Sequence, residues 1–115
     1  MFVILRTITV KKGFADQVVE RFSRRGPVHS FDGFIDSSVM VKRAKRQDEH
    51  DEVVVMVRWR SQEDWKNWEK SPEHIQGHRQ KQGQTPPDYV ISTVHAQYDV
   101  KTVIGPLPKE AQADA

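Results

Sequence analysis

The segment Val53 to Trp59, V-V-V-M-V-R-W, constrains the fold more than any other stretch. It is short and rich in β-branched residues, so it reads as a strand. In a strand, Val53, Val55, Val57 and Trp59 share one face, while Val54 and Met56 lie on the other. Apolar residues on both faces require cover on both faces. A length of 115 residues suits one domain. Its 37% hydrophobic content is a lean supply for a core. The chain's own helices can cover one side of a sheet. A second copy is the economical cover for the other side, which predicts a two-fold homodimer.

The flanking elements follow from periodicity. Phe2 to Val10 reads as a strand ended by Lys11-Lys12-Gly13. It is apolar but has neither a basic leader nor a small-residue cleavage site, so it does not read as a signal peptide. Phe14, Val18 and Phe22 make one stripe of a helix from about Phe14 to Arg24, stopped by Gly26-Pro27. Asp32-Gly33 introduces a strand from Phe34 to Val41, and the charged run Lys42 to Asp51 reads as a hairpin-like loop. Ser61 caps a helix through about Lys70, and Ser71-Pro72 starts another that reaches about Lys81. Gln82 to Asp88 is a loop. Tyr89 to Val100 is a last strand, with Val90, Val94, Ala96, Tyr98 and Val100 close to a period of two. The order β-α-β-β-α-α-β predicts a ferredoxin-like α+β fold with a four-stranded antiparallel sheet, dimerising as an α/β barrel. The domain spans 1–100, and 101–115 reads as a polar, mobile tail.

Composition excludes several functions. With no cysteine there are no disulfides, iron–sulfur clusters, zinc ribbons or thiol nucleophiles, which fits a cytoplasmic location. Eighteen Lys+Arg against 16 Asp+Glu leaves a charge of +2, which does not predict a nucleic-acid partner. The basic run Lys42 to Arg46 is cancelled by Asp48 to Glu52. No stretch is long enough to span a membrane. Neither a phosphate-binding glycine loop nor a Gly-x-Ser-x-Gly elbow occurs.

Residues suited to chemistry concentrate between Trp59 and Lys81, which holds all three tryptophans and two of the five histidines. His74 and His78 lie four apart on one helix face, but zinc needs a third ligand and no H-E-x-x-H pattern exists. The plain reading is that one or both face solvent. A single histidine against an apolar wall suffices to ligate haem iron. Trp65 and Trp68 suit core packing, unless a planar cofactor lies beside one of them. Arg6 is out of pattern, since Phe2, Ile4, Ile8 and Val10 share its strand face. It either snorkels to the sheet edge or pairs with a carboxylate across the dimer, or it faces a pocket holding an anionic ligand or oxygen species. Arg79 and Lys81 are either a solvated helix end or partners for carboxylates at a pocket mouth.

Three segments carry a family resemblance: V-K-K-G-F-A-D-Q-V-V-E-R-F from Val10 to Phe22, Phe31-Asp32-Gly33-Phe34, and the run from Glu52 through Trp68-Glu69-Lys70-Ser71 to His78. Over about Met1 to Val100 the chain resembles the IsdG-type haem-degrading monooxygenases, HmoA-like branch, of the dimeric antibiotic-biosynthesis-monooxygenase superfamily. That family places a tryptophan ten residues before a histidine across a helix break, as Trp68 and His78 stand here. The resemblance implies that His78 is the proximal ligand of haem iron and that Trp68 presses the porphyrin out of plane. Many members carry an asparagine where Arg6 stands; Arg6 would donate on the distal side or contact a propionate. Arg79 joins His78 and Trp68 in the haem-binding set. The implied reaction is oxidative opening of haem, both substrate and cofactor, by dioxygen, with electrons from an external donor such as a reductase. Two alternatives remain open: a non-degrading haem-binding dimer, and a cofactor-independent monooxygenase of the same superfamily acting on an aromatic substrate.

Overall fold

The computed structural model describes residues 1–108. Its elements are β1 (Phe2–Lys11), α1 (Ala15–Phe22), a 3-10 turn (Pro27–Ser30), β2 (Phe34–Val41), β3 (His50–Trp59), α2 (Gln62–Glu69), α3 (Pro72–Lys81) and β4 (Val90–Asp99). The four strands form one antiparallel sheet in the order β2-β3-β1-β4. This is the ferredoxin-like α+β arrangement that the element order predicts. β1 and β3 are the central pair, which explains why both are apolar on two faces.

One face lies under the helices. Ile8, Val10, Val53 and Val55 form a buried cluster with Ala15 and Val18 of α1, and Phe14, Phe22 and Val57 pack around it. Trp59 and Phe2 are buried on the same face, directly opposite each other in the ladder. Arg6 belongs to this face too, opposite Val55 on one side and His95 on the other. On the reverse face, Leu5 stands opposite Met56 and Ala96, and Thr7 opposite Val54 and Val94. There Met40, Val94 and Tyr98 are 42%, 61% and 51% exposed. That face is apolar and the chain leaves it open.

Several boundaries differ from the periodicity, each for a local reason. β3 starts at His50, not Val53, because Lys11, Val10 and Thr9 continue the ladder opposite His50, Asp51 and Glu52. Asp51 also accepts a hydrogen bond from the Gly13 N–H at 2.8 Å, tying the two strand ends together. α1 ends at Phe22, so Arg24 and Arg25 lie outside it. The Ser23 hydroxyl turns back to the Val19 carbonyl at 2.5 Å. The 3-10 turn is closed by the Gly26 N–H donating to His29 Nδ1 at 2.8 Å. β4 contains a bulge: Thr9 pairs with Ser92 and Val10 with Val90, which skips Ile91. Val90 therefore joins the core under the helices, while Val94, Ala96 and Tyr98 face the open side; the single period-two face does not hold.

Both serine caps form as the sequence predicts. Ser61 Oγ accepts from the Asp64 N–H at 3.1 Å, and Ser71 Oγ from the His74 N–H at 3.2 Å. Asp64 also receives Arg60 at both carboxylate oxygens, each at 2.9 Å. These bonds from Arg60, and then from Ser61, hold its carboxyl below the usual carboxylate range. Residues 101–108 form neither helix nor strand. The rest of the tail expected over 101–115 lies outside the described residues.

Candidate active site

The helix side of the sheet holds a cavity of about 320 Å³, near the lower end of small-molecule sites. Ile8, Val18, Phe22 and Val90 give it an apolar wall, and Arg6, Arg21, Lys81 and His95 bring basic groups to it. No carboxylate lines it among the described residues. The Nε–H of Arg6 donates to Nε2 of His95 at 3.1 Å. Its guanidinium carbon lies 5.2 Å from the centre of the Phe22 ring, within cation–π range. Burial, and then the like charge of Arg21, lower the Arg6 pKa from its ordinary value. Arg6 thus lines a pocket, and within this chain it meets no carboxylate among the described residues.

A second cavity, about 550 Å³, lies along α3 and is lined by Glu69, His74, Ile75, His78, Arg79 and Lys81, among others. The two histidines of α3 differ sharply here. His74 Nε2 is 2.5 Å from the Glu69 carboxylate, and its side chain is only 18% exposed. Its ring meets Trp68 edge-on at 5.2 Å and His78 at 4.4 Å. His78 is exposed and makes no side-chain hydrogen bond or ion pair among the described residues. One imidazole is engaged and the other is uncommitted, so solvent-facing describes His78 but not His74.

Trp68 is held on a second side by Phe31, at 5.3 Å between ring centres. Trp65 packs on Phe2 at 5.4 Å and belongs to the joint between α2 and the sheet. The structure therefore brings Trp68, His74 and His78 into one stack, with Arg79 beside the same cavity. Arg6 lies in the other cavity, and Lys81 lines both. No cluster of three or more His, Cys, Asp or Glu side chains suited to a metal ion occurs among the described residues. Sequence reasoning missed His95, Phe22 and Arg21 as site residues. Phe22 was visible as one residue of the α1 stripe, but the pairing of Arg6 with His95 depends on the register of β1 with β4, which no local pattern reveals.

An antiparallel sheet with helices on one side, an open apolar face on the other, and a basic cavity between sheet and helices define a ferredoxin-like α+β domain with a pocket on its helix side. The sequence pattern of the antibiotic biosynthesis monooxygenase family matches residues 1–80, and the chain belongs to that family. It is 52% identical to the haem-degrading monooxygenase HmoA of Bacillus subtilis over 103 residues, 90% of this chain and 94% of that one. A Bacillus cereus crystal structure assigned to antibiotic biosynthesis monooxygenases superposes with a TM-score of 0.79 at 44% identity, covering 93% of this chain and 97% of that one. MhuD, a haem degrader of Mycobacterium tuberculosis with two haems bound in its active site, superposes at 0.61 and 20% identity, covering 91% and 100%. At that identity the likeness speaks for the fold.

Proposed function

We propose that this chain is a haem-degrading monooxygenase that holds its substrate through His78 and opens the porphyrin ring, releasing iron. The relation to HmoA supplies the substrate class. The observation on this chain that carries the reading is the contrast on α3: Glu69 occupies His74, while His78 is uncommitted one ring away from the Trp68 stack. The residues present fit haem. It is a planar apolar ring with two carboxylates and an iron; the cavity at His78 offers an imidazole, the basic Arg79 and Lys81 and the apolar Ile75, and the cavity that shares Lys81 adds the apolar wall of Ile8, Val18, Phe22 and Val90.

Bound haem supplies the iron at which dioxygen, given electrons from an external reductase or small reductant, is directed at a ring carbon. The protein's part is placement. His78 would hold the iron. Trp68, wedged between Phe31 and His74, would give a stiff edge that presses on the bound ring and bends it. Arg6 would donate to bound oxygen or contact a propionate, and Arg79 and Lys81 would meet the carboxylates. Lys81 lines both the cavity at His78 and the one at Arg6.

The test of binding is a haemin titration. Saturable growth of a Soret band, at about one haem per chain, supports the reading; no band overturns it. Trp68→Phe is expected to keep haemin affinity and slow ring opening by about 10–100-fold, because only the placement of the ring is lost. Turnover equal to that of the parent chain contradicts the bending role.

The reading includes a homodimer and a cytoplasmic setting. The open face with Met40, Val94 and Tyr98 suits a second copy laid sheet to sheet. Val94→Lys places a charge on that face and is expected to convert the dimer to a monomer in sedimentation velocity. A monomeric parent chain contradicts the dimer. No helix among the described residues is long and apolar enough to cross a membrane.

A further inference from the structure

We propose that His95 is a positioning residue for the reaction: its neutral imidazole aims the Arg6 guanidinium into the site. The inference rests on the haem reading for its ligand, but the contact itself does not. Arg6 and His95 are direct cross-strand partners of β1 and β4. Arg6 Nε is a donor only, so the His95 Nε2 it meets at 3.1 Å carries no proton and the ring's hydrogen sits on Nδ1. On its other side the guanidinium rests against Phe22 at 5.2 Å. One bond at Nε and one aromatic face fix the plane of the group. The two Nη nitrogens make no hydrogen bond among the described residues and are left to the ligand.

The pin is needed because of the company Arg6 keeps. Arg21 of α1 and Lys81 of α3 line the same cavity, Val55 of β3 is the apolar neighbour on the other strand, and no carboxylate lines the cavity to anchor the group. The like charge of Arg21 acts on Arg6, and His95 is the acceptor that holds the guanidinium in place. Glutamine at position 95 keeps an acceptor; leucine keeps only bulk.

Two measurements decide the matter. In the ligand-free chain, long-range proton–nitrogen NMR should show His95 in the Nδ1–H form and a slowly exchanging Arg6 Nε–H, which is lost in His95→Leu. With haemin and a reductant, His95→Leu should lower the ring-opening rate by about 10–100-fold, the usual cost of removing a group that orients a working residue. Haemin affinity should stay within about threefold of the parent. His95→Gln should restore the rate. An Nε2–H tautomer, an unchanged rate in His95→Leu, or a rate in His95→Gln no higher than in His95→Leu would overturn the proposal. If the parent chain took up no haemin, the haem reading would fall, while the NMR result would still decide the His95–Arg6 bond.

Discussion

His78→Ala is expected to abolish the spectrum of histidine-ligated haem and to weaken haemin binding by more than about 100-fold, whereas His74→Ala is expected to keep the ligand signature. The difference follows from what each ring is doing. Removing a partner that only orients a metal ligand costs about 10–100-fold; removing the ligand costs more. His74 is bound to Glu69 and packed between Trp68 and His78, so it supports the stack. His78 has no competing side-chain bond among the described residues and faces the cavity along α3. Visible spectra of the ferric complexes, with affinities from titration, separate the two variants. Loss of the ligand signature in His74→Ala, with retention in His78→Ala, would show that the roles are reversed.

Gly33→Ala is expected to be the most damaging single change to stability outside the central strands. Gly33 has φ at +89°, a conformation that costs an L side chain roughly 1–2 kcal/mol. A Cβ there would also overlap the Cβ and Cγ of Asp64. Asp64 cannot easily give way. Both its carboxylate oxygens are taken by Arg60, Ser61 donates to one of them, and its own N–H donates to Ser61 Oγ, the cap of α2. Arg60 in turn donates its N–H to the Gly33 carbonyl at 2.8 Å. Strain and overpacking together suggest about 2–5 kcal/mol, enough to lower the midpoint of thermal unfolding by roughly 10 °C or more. Differential scanning calorimetry measures it directly. A shift under about 2 °C would mean that the Gly33–Asp64 joint yields at little cost.

Much of this fold was legible because its signals are local. The two-faced apolar pattern of Val53 to Trp59 called for cover on both faces of the sheet, and the structure has an open apolar face at Met40, Val94 and Tyr98. Ser61 and Ser71 marked the starts of α2 and α3 because a cap needs only its own first turn. The bulge at Ile91 was not legible. It is a property of how β4 pairs with β1, and it moves Val90 to the opposite face from Val94. The site divides along the same line. Trp68 and His78 stand out by spacing and resemblance, and the structure joins them through His74. That His74 would be occupied depends on Glu69 lying across the break between α2 and α3. Arg6 was visible as an anomaly, but its partner His95 lies 89 positions away and becomes a neighbour only through strand pairing.

The central claim is ring opening, and it is tested most directly by following the Soret band of the haemin-loaded chain in air after adding ascorbate with catalase present. The account predicts loss of the band that catalase does not prevent, with an open tetrapyrrole and free iron as products. A Soret band that persists, both with ascorbate and with a protein reductase, would contradict it and make the chain a haem binder that does not degrade its ligand.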